Sequence, residues 1–238
     1  MNNARRSASI VGALAAIASS ATSTAWAEPA GLGFTVEPGV ISGASPDRLG
    51  TWAVHYQRVG GGNPSVADAI NGRIDGEANR EVQQATWDGS TRRPWTFDSA
   101  GTLHVRSMTV SEIFTTQYNT DEPHMPMDSV GSVVCDGRSG VLITWDNLFR
   151  DKTAGLTRLS DETAASLSAV APPSSVRDWR RGGQLAPVDI NFKYWIPTAE
   201  GIELHFPEVQ FGRGLKAVTV PWAKVADLIA PEFAPIVG

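Results

Sequence analysis

Histidines are the side chains best suited to move protons near neutral pH, and this chain has four: His55, His104, His124 and His205. His205 lies in the stretch EGIELHFPEVQFGRG, residues 200–214, two positions after Glu203. A histidine and a carboxylate at that spacing could act as a base and its partner, provided a pocket holds them. Alternation gives a different reading. Ile202, Leu204 and Phe206 share one face of a strand, while Glu203 and His205 share the other. With the apolar face sunk in a core, the pair decorates a sheet surface. His124 stands beside Asp121 and Glu122 in the polar stretch NTDEPHMP, residues 119–126, which reads as a turn between strands. The histidines lack HxxxH or HExxH spacing and there is a single cysteine, so no metal site is expected. GRGLKA, residues 212–217, matches GxGxxA in outline, but a strand follows it where phosphate binding needs a helix N-terminus. No GxSxG nucleophile elbow is present. The expectation is no catalytic residue and no cofactor.

These residues must be positioned by strands and a few helices. Trp52, Val54 and Tyr56 alternate within TWAVHYQRV (51–59), and two further strands are expected between residues 101 and 118. Another strand spans 129–135, and Asp136-Gly137 marks a turn to a partner strand at 140–145. Short strands with compact turns predict an antiparallel meander rather than βαβ units. Ser65 reads as the cap of a helix whose stripe is Val66, Ile70, Ile74, Ala78 and Val82. Ser160 is the expected start of a second helix, ended by Pro172-Pro173 and followed by a surface loop to Gly183. Strands at 191–196, 202–206 and 217–220 precede a last helix opened by Pro221. The fold class predicted is α+β, an antiparallel sheet packed against two or three helices in a single domain. Trp52, Trp145, Trp195 and Trp222 belong with the core, whereas Trp87, Trp95 and Trp179 sit in polar stretches and could offer exposed contacts.

The first residues address the chain. Arg5-Arg6, the apolar run 10–18 and Ala25-Trp26-Ala27 make the three parts of a secretory signal peptide, with cleavage expected after Ala27. The run is shorter than the roughly 20 residues a membrane-spanning helix needs. Residues 28–50 then read as a loose Gly/Pro/Ser-rich leader and 51–238 as the domain. The whole sequence carries a net charge of −5; without residues 1–27, which hold two arginines and no acid, it is −7 (18 basic, 25 acidic). Such a balance offers nothing to nucleic acid or an anionic membrane. Cys135, beside Val133 and Val134, has no partner in the chain and reads as a buried, inert thiol.

Four motifs carry a family resemblance: residues 200–208 (EGIELHFPE), 218–222 (VTVPW), 146–149 (DNLF) and 122–125 (EPHM). In their setting of strands, loops and turns, the chain from Thr51 to Ile229 resembles a secreted domain-of-unknown-function family. That family is shared by the extracytoplasmic domain of the anti-sigma factor RsiV and mycobacterial secreted immunogenic antigens. The resemblance implies an α+β domain outside the membrane, without known catalytic activity, that recognises an extracellular ligand, a protein in the RsiV case. The chain lacks RsiV's cytoplasmic and membrane-spanning parts, so it looks closer to the freely secreted antigens and sigma-factor control is not implied. It also departs from the family after Pro207-Glu208, where VQFGRG (209–214) replaces the usual aromatic and small residues.

The expected function is therefore that of a secreted, non-enzymatic binding domain, extracellular or in the cell wall. Its partner would be an extracellular protein or a cell-wall glycan, not nucleic acid, and the chain would not span a membrane once the signal is removed. The contacts expected are Glu122 and His124 in the loop 121–127, and Glu208, Phe211 and Arg213 in the loop 207–214, with His205 beside them. The alternative is a cell-wall hydrolase or esterase using a His/carboxylate pair.

Overall fold

The computed structural model describes residues 32–237; the signal peptide expected over residues 1–27 lies outside them. Two sheets form an α+β domain. The larger has five strands in the order of the chain: β1 (Phe34–Ala44), β2 (Gly50–Gly61), β3 (Trp95–Val105), β4 (Thr109–Thr120) and β5 (Met127–Asp136). The smaller is antiparallel: β6 (Tyr194–Pro197), β7 (Gly201–Phe206) and β8 (Lys216–Pro221).

Strand β1 occupies much of what reads in sequence as a loose leader. It pairs with β2 along its whole length, from Phe34↔Gly61 to Ala44↔Thr51. Its sequence hides this because most of its side chains stay exposed and the ladder uses backbone groups alone. Glycine is part of the design. A Cβ at Gly39 or Gly43 would come within 2.6 Å of the Tyr56 or Trp52 ring, the two aromatic residues paired across from them.

Helix α1 (Pro64–Asp88) connects β2 to β3. These two strands run parallel, Gly50↔Trp95 through His55↔Ala100. The sheet is thus mixed rather than the antiparallel meander expected, and it contains a βαβ unit with a 25-residue helix as the crossover. The N-cap is Asn63, not Ser65; its Oδ1 accepts the Ser65 N–H at 3.0 Å. Ile70, Ile74 and Ala78 are fully buried as expected, while Val66 and Val82 are half-buried. A stripe repeating every four residues drifts off a helix of 3.6 residues per turn. Ala67, Glu81 and Ala85 take the inward positions at the ends.

After β5 the chain turns at Asp136, whose carbonyl accepts the Gly140 N–H at 2.7 Å. The expected strand at 140–145 shrinks to a single bridge, Cys135↔Leu142, because helix α2 (Trp145–Leu148) starts there. Helix α3 (Lys152–Ser168) is capped by Asp151, which accepts the Ala154 N–H at 3.1 Å. Ser160 is inside it, buried, with its hydroxyl donating to the Leu185 carbonyl at 2.6 Å. The expected surface loop is helix α4 (Pro173–Arg181). Its inward residues, Val176 and Trp179, are too sparse to announce a helix among so many polar neighbours. The final helix is instead a set of 3₁₀ turns at Trp222–Lys224, Ala226–Leu228 and Pro231–Val237, the last with Pro231 and Pro235 in it. Proline at such positions withholds the N–H that an α-helix would use.

Two apolar clusters hold the layers. One joins α1 to the five-stranded sheet through Ile70, Ile74, Val54, Phe97, Val110 and Phe114. The other gathers α2, α3 and the three-stranded sheet around Leu148, Leu159, Ile202, Leu204 and Phe206. At the junction, the Trp195 N–H donates to Ser132 Oγ at 3.0 Å and the Trp145 and Trp195 rings stack at 4.6 Å. Among the described residues no helix is long and apolar enough to cross a membrane.

Candidate functional site

The alternation in β7 places its residues as expected: Ile202, Leu204 and Phe206 are buried, Glu203 and His205 half-buried. His205 is not merely solvated. Its Nε2 lies 2.8 Å from Glu203 Oε1, with the two side chains 18% and 30% exposed. His104, on β3, is within their electrostatic reach; burial holds its imidazole below the usual range, Glu203 opposing that and His205 adding to it.

The two loops expected to carry contacts meet each other. Helix α5 (Glu208–Phe211) forms most of the second loop. Glu208 Oε2 accepts the backbone N–H of Asp128 at 3.1 Å. Arg213 donates from Nη2 to the His124 carbonyl at 3.2 Å and pairs through Nε with Glu208 Oε1 at 3.4 Å. Glu208, Arg213 and His124 are thus one unit, but His124 enters it through its backbone, at a positive φ of 70°. Phe211 is no surface contact. It is 3% exposed, its ring 4.8 Å from Phe206 and 5.0 Å from Trp179. Because β7 points Phe206 inward, the short helix after it turns its last apolar residue onto the same core.

Glu122 belongs to a different place. It pairs with Arg93 at 3.8 Å and stands on the wall of a cavity of about 580 Å³. This cavity lies between the C-terminal half of α1, strands β3 to β5, the loop 121–127 and the start of β6. Phe97, Tyr118, Met125, Met127, Val130 and Tyr194 supply an apolar and aromatic lining. Neither His124 nor His205 is on it. The Tyr118 hydroxyl accepts the Ser90 N–H at 3.0 Å, which fixes the ring at the mouth of the helix.

The charged group that matters in the cavity is Glu81. The residue is 8% exposed and makes no hydrogen bond among the described residues. Burial, and after it the neighbouring Glu77, push its carboxyl up to about 7, against the pull of Arg80 and Lys193. Arg80 is held by Glu77, donating from Nε to Oε2 at 2.9 Å and from Nη2 to Oε1. Glu81 has room because β5 presents Gly131, where a Cβ would lie 2.4 Å from Glu81 Oε1. The signal for this residue is present in the sequence. Ile74, Ala78, Glu81 and Ala85 fall at i, i+4, i+7 and i+11, so an acid occupies a core-facing position of α1. Among the described residues no group of three His, Cys, Asp or Glu side chains could hold a metal ion.

The tryptophans divide by burial. Trp95 is buried and stacks at 6.4 Å on Trp52, and Trp179 lies half-buried on Phe211. Trp87, near the end of α1, is 87% exposed. It alone of the three expected contacts is free to touch a partner.

The fold has solved counterparts. A member of the DUF3298 family from Bacteroides fragilis superposes with a TM-score of 0.62 over 87% of this chain and 98% of its own, at 10% identity. A DUF3298 family protein from Pseudomonas aeruginosa gives a TM-score of 0.52 over 84% and 97%, at 12% identity. The chain therefore has the α+β fold seen in proteins of a domain-of-unknown-function family. No family model and no curated protein matches its sequence.

Proposed function

We propose that this protein is a secreted, non-enzymatic binding domain that receives part of an extracellular protein or cell-wall glycan in the cavity against α1. The observation that carries the reading is a concavity of about 580 Å³, lined by aromatic and thioether side chains around one carboxyl that no protein group satisfies. Pockets of that size with a few converging polar groups are the usual form of ligand sites. Trp87, exposed on the same end of α1 as the cavity-lining Gln84 and Asp88, offers a second contact. The loop 121–127 contributes Glu122 and Met125 to the wall, and the Glu208–Arg213 unit holds that loop in place. The resemblance of its motifs to those of the RsiV and mycobacterial antigen domains supports placing the protein outside the membrane.

The alternative, a hydrolase or esterase, is favoured by one observation, the 2.8 Å contact between His205 and Glu203. Both readings meet in one experiment. The purified protein is titrated with peptidoglycan fragments and with extracellular proteins, and assayed for turnover of peptidoglycan and ester substrates. Saturable binding without turnover, weakened by Tyr118→Ala, is the expected result. Turnover that disappears in His205→Ala or His124→Ala would replace the binding reading with the hydrolytic one.

A further inference from the structure

We infer that the cavity receives a primary ammonium group, carried on an apolar body, against the carboxyl of Glu81. This rests on the cavity being the ligand seat and specifies what it takes.

A carboxyl on the buried face of a helix is normally matched by a protein donor, because an unsatisfied one is costly. Glu81 has none, although two cations are near. Arg80 is turned to Glu77 through both Nε and Nη2. Lys193 places Nζ 5.0 Å from the centre of the Tyr194 ring, over an aromatic face. The protein thus neutralises Glu77 and leaves the deeper acid open to the cavity. Gly131 keeps its seat clear.

The rest of the wall selects charge and shape. The wall carries three carboxylates, Glu81, Asp88 and Glu122, against two cations, Arg80 and Lys193, and Arg80 is already paired with Glu77. An ammonium finds Glu81 as acceptor and the Tyr118 ring for cation–π contact, Tyr194 being already matched by Lys193. Met125, Met127 and Phe97 then cover an apolar chain or ring. A charge-assisted bond made away from water is stronger than a neutral one, so the amine is preferred to a hydroxyl or amide of the same shape.

The seat is also pH-sensitive. Glu77, Arg80 and, just before β6, Lys193 act on Glu81, and the same wall carries Asp88 of its own helix, Tyr118 of β4, Glu122 of the loop 121–127 and Tyr194 of β6. With its carboxyl near 7 when empty, an arriving ammonium must displace a proton below that pH. Affinity therefore falls as pH drops, by about tenfold from pH 8 to pH 6.

The test compares phenethylamine with N-acetylphenethylamine, read by NMR shifts of residues around the cavity in the wild-type protein and in Glu81→Gln. Glutamine keeps the size of a protonated glutamate, so the variant retains the fold, which its spectrum verifies. Phenethylamine is expected to bind at least about tenfold more tightly than its acetyl derivative at pH 8, with that advantage lost in Glu81→Gln and at low pH. Equal binding of the two compounds, or unchanged amine binding in Glu81→Gln, overturns the inference while leaving the cavity as a binding site. Absence of any shift at the cavity also overturns it, and the peptidoglycan and protein titrations then decide the cavity separately.

Discussion

Glu112 on β4 accepts the backbone N–H of Gln57 on β2 at 2.7 Å, although strand β3 lies between them. The parallel pairing of β2 with β3 stops at His55↔Ala100, and two side chains continue it. Glu112 takes the Gln57 N–H, and the Gln57 side chain accepts the Leu103 N–H at 2.7 Å. The carboxyl crosses β3 at Gly101, where a Cβ would be 2.1 Å from Glu112 Oε1 and 3.1 Å from Tyr56 Cα. Glu112 is fully buried and its second oxygen has no hydrogen-bond partner.

Gly101→Ala should therefore break this splint. The new methyl group meets backbone on one side and the carboxyl on the other, so it forces Glu112 away and leaves the Gln57 N–H without an acceptor. A loss of about 1–3 kcal/mol is expected by chemical denaturation. Wild-type stability in this variant would show that the bridge contributes nothing.

Glu112 also makes stability fall with rising pH. Burial raises its carboxyl from the usual 4.5 to about 8, the Gln57 N–H opposing and Asp75 adding. Its folded-state pKa exceeds the unfolded value, so the folded protein holds the proton more tightly. The stabilising protonation is complete below about pH 4.5 and is lost as pH climbs toward 8. Glu81, raised to about 7, acts in the same direction. Thermal unfolding midpoints should drop between pH 5 and pH 8. Glu112→Gln, which mimics the protonated acid, should flatten that slope and be the more stable protein at pH 8, by on the order of 3 kcal/mol. Identical slopes in the two proteins would refute the assignment.

Glu208→Ala should loosen the loop 121–127 without unfolding the domain. It removes the acceptor of the Asp128 N–H and the acid that positions Arg213. Amide exchange at Asp128 should accelerate, at a global cost of about 1–2 kcal/mol. Unchanged exchange there would mean that the two loops are not coupled.

Cys135 should resist thiol reagents in the native protein. It is fully buried, and burial pushes its thiol up to about 12, Arg73 opposing and Asp136 adding. Modification should appear only in denaturant. Rapid labelling of the folded chain, or a disulfide-linked dimer, would contradict the packing.

What the sequence determined by itself is the set of faces. Strict alternation buries Ile202, Leu204 and Phe206 and turns Glu203 and His205 outward. The stripe of α1 likewise sets Ile70, Ile74 and Ala78 against the sheet. Hydrophobic period reports which side of an element leaves water, and that is a local property. Which element lies opposite was decided only by the tertiary structure. Strand β1 and the parallel β2–β3 ladder depend on backbone donors and acceptors that every residue carries, so composition is silent about their partners. The same holds for the cavity. An acid at a core position of α1 is visible in the chain, but the glycine that makes room for it is 50 residues away, and only folding brings the two together.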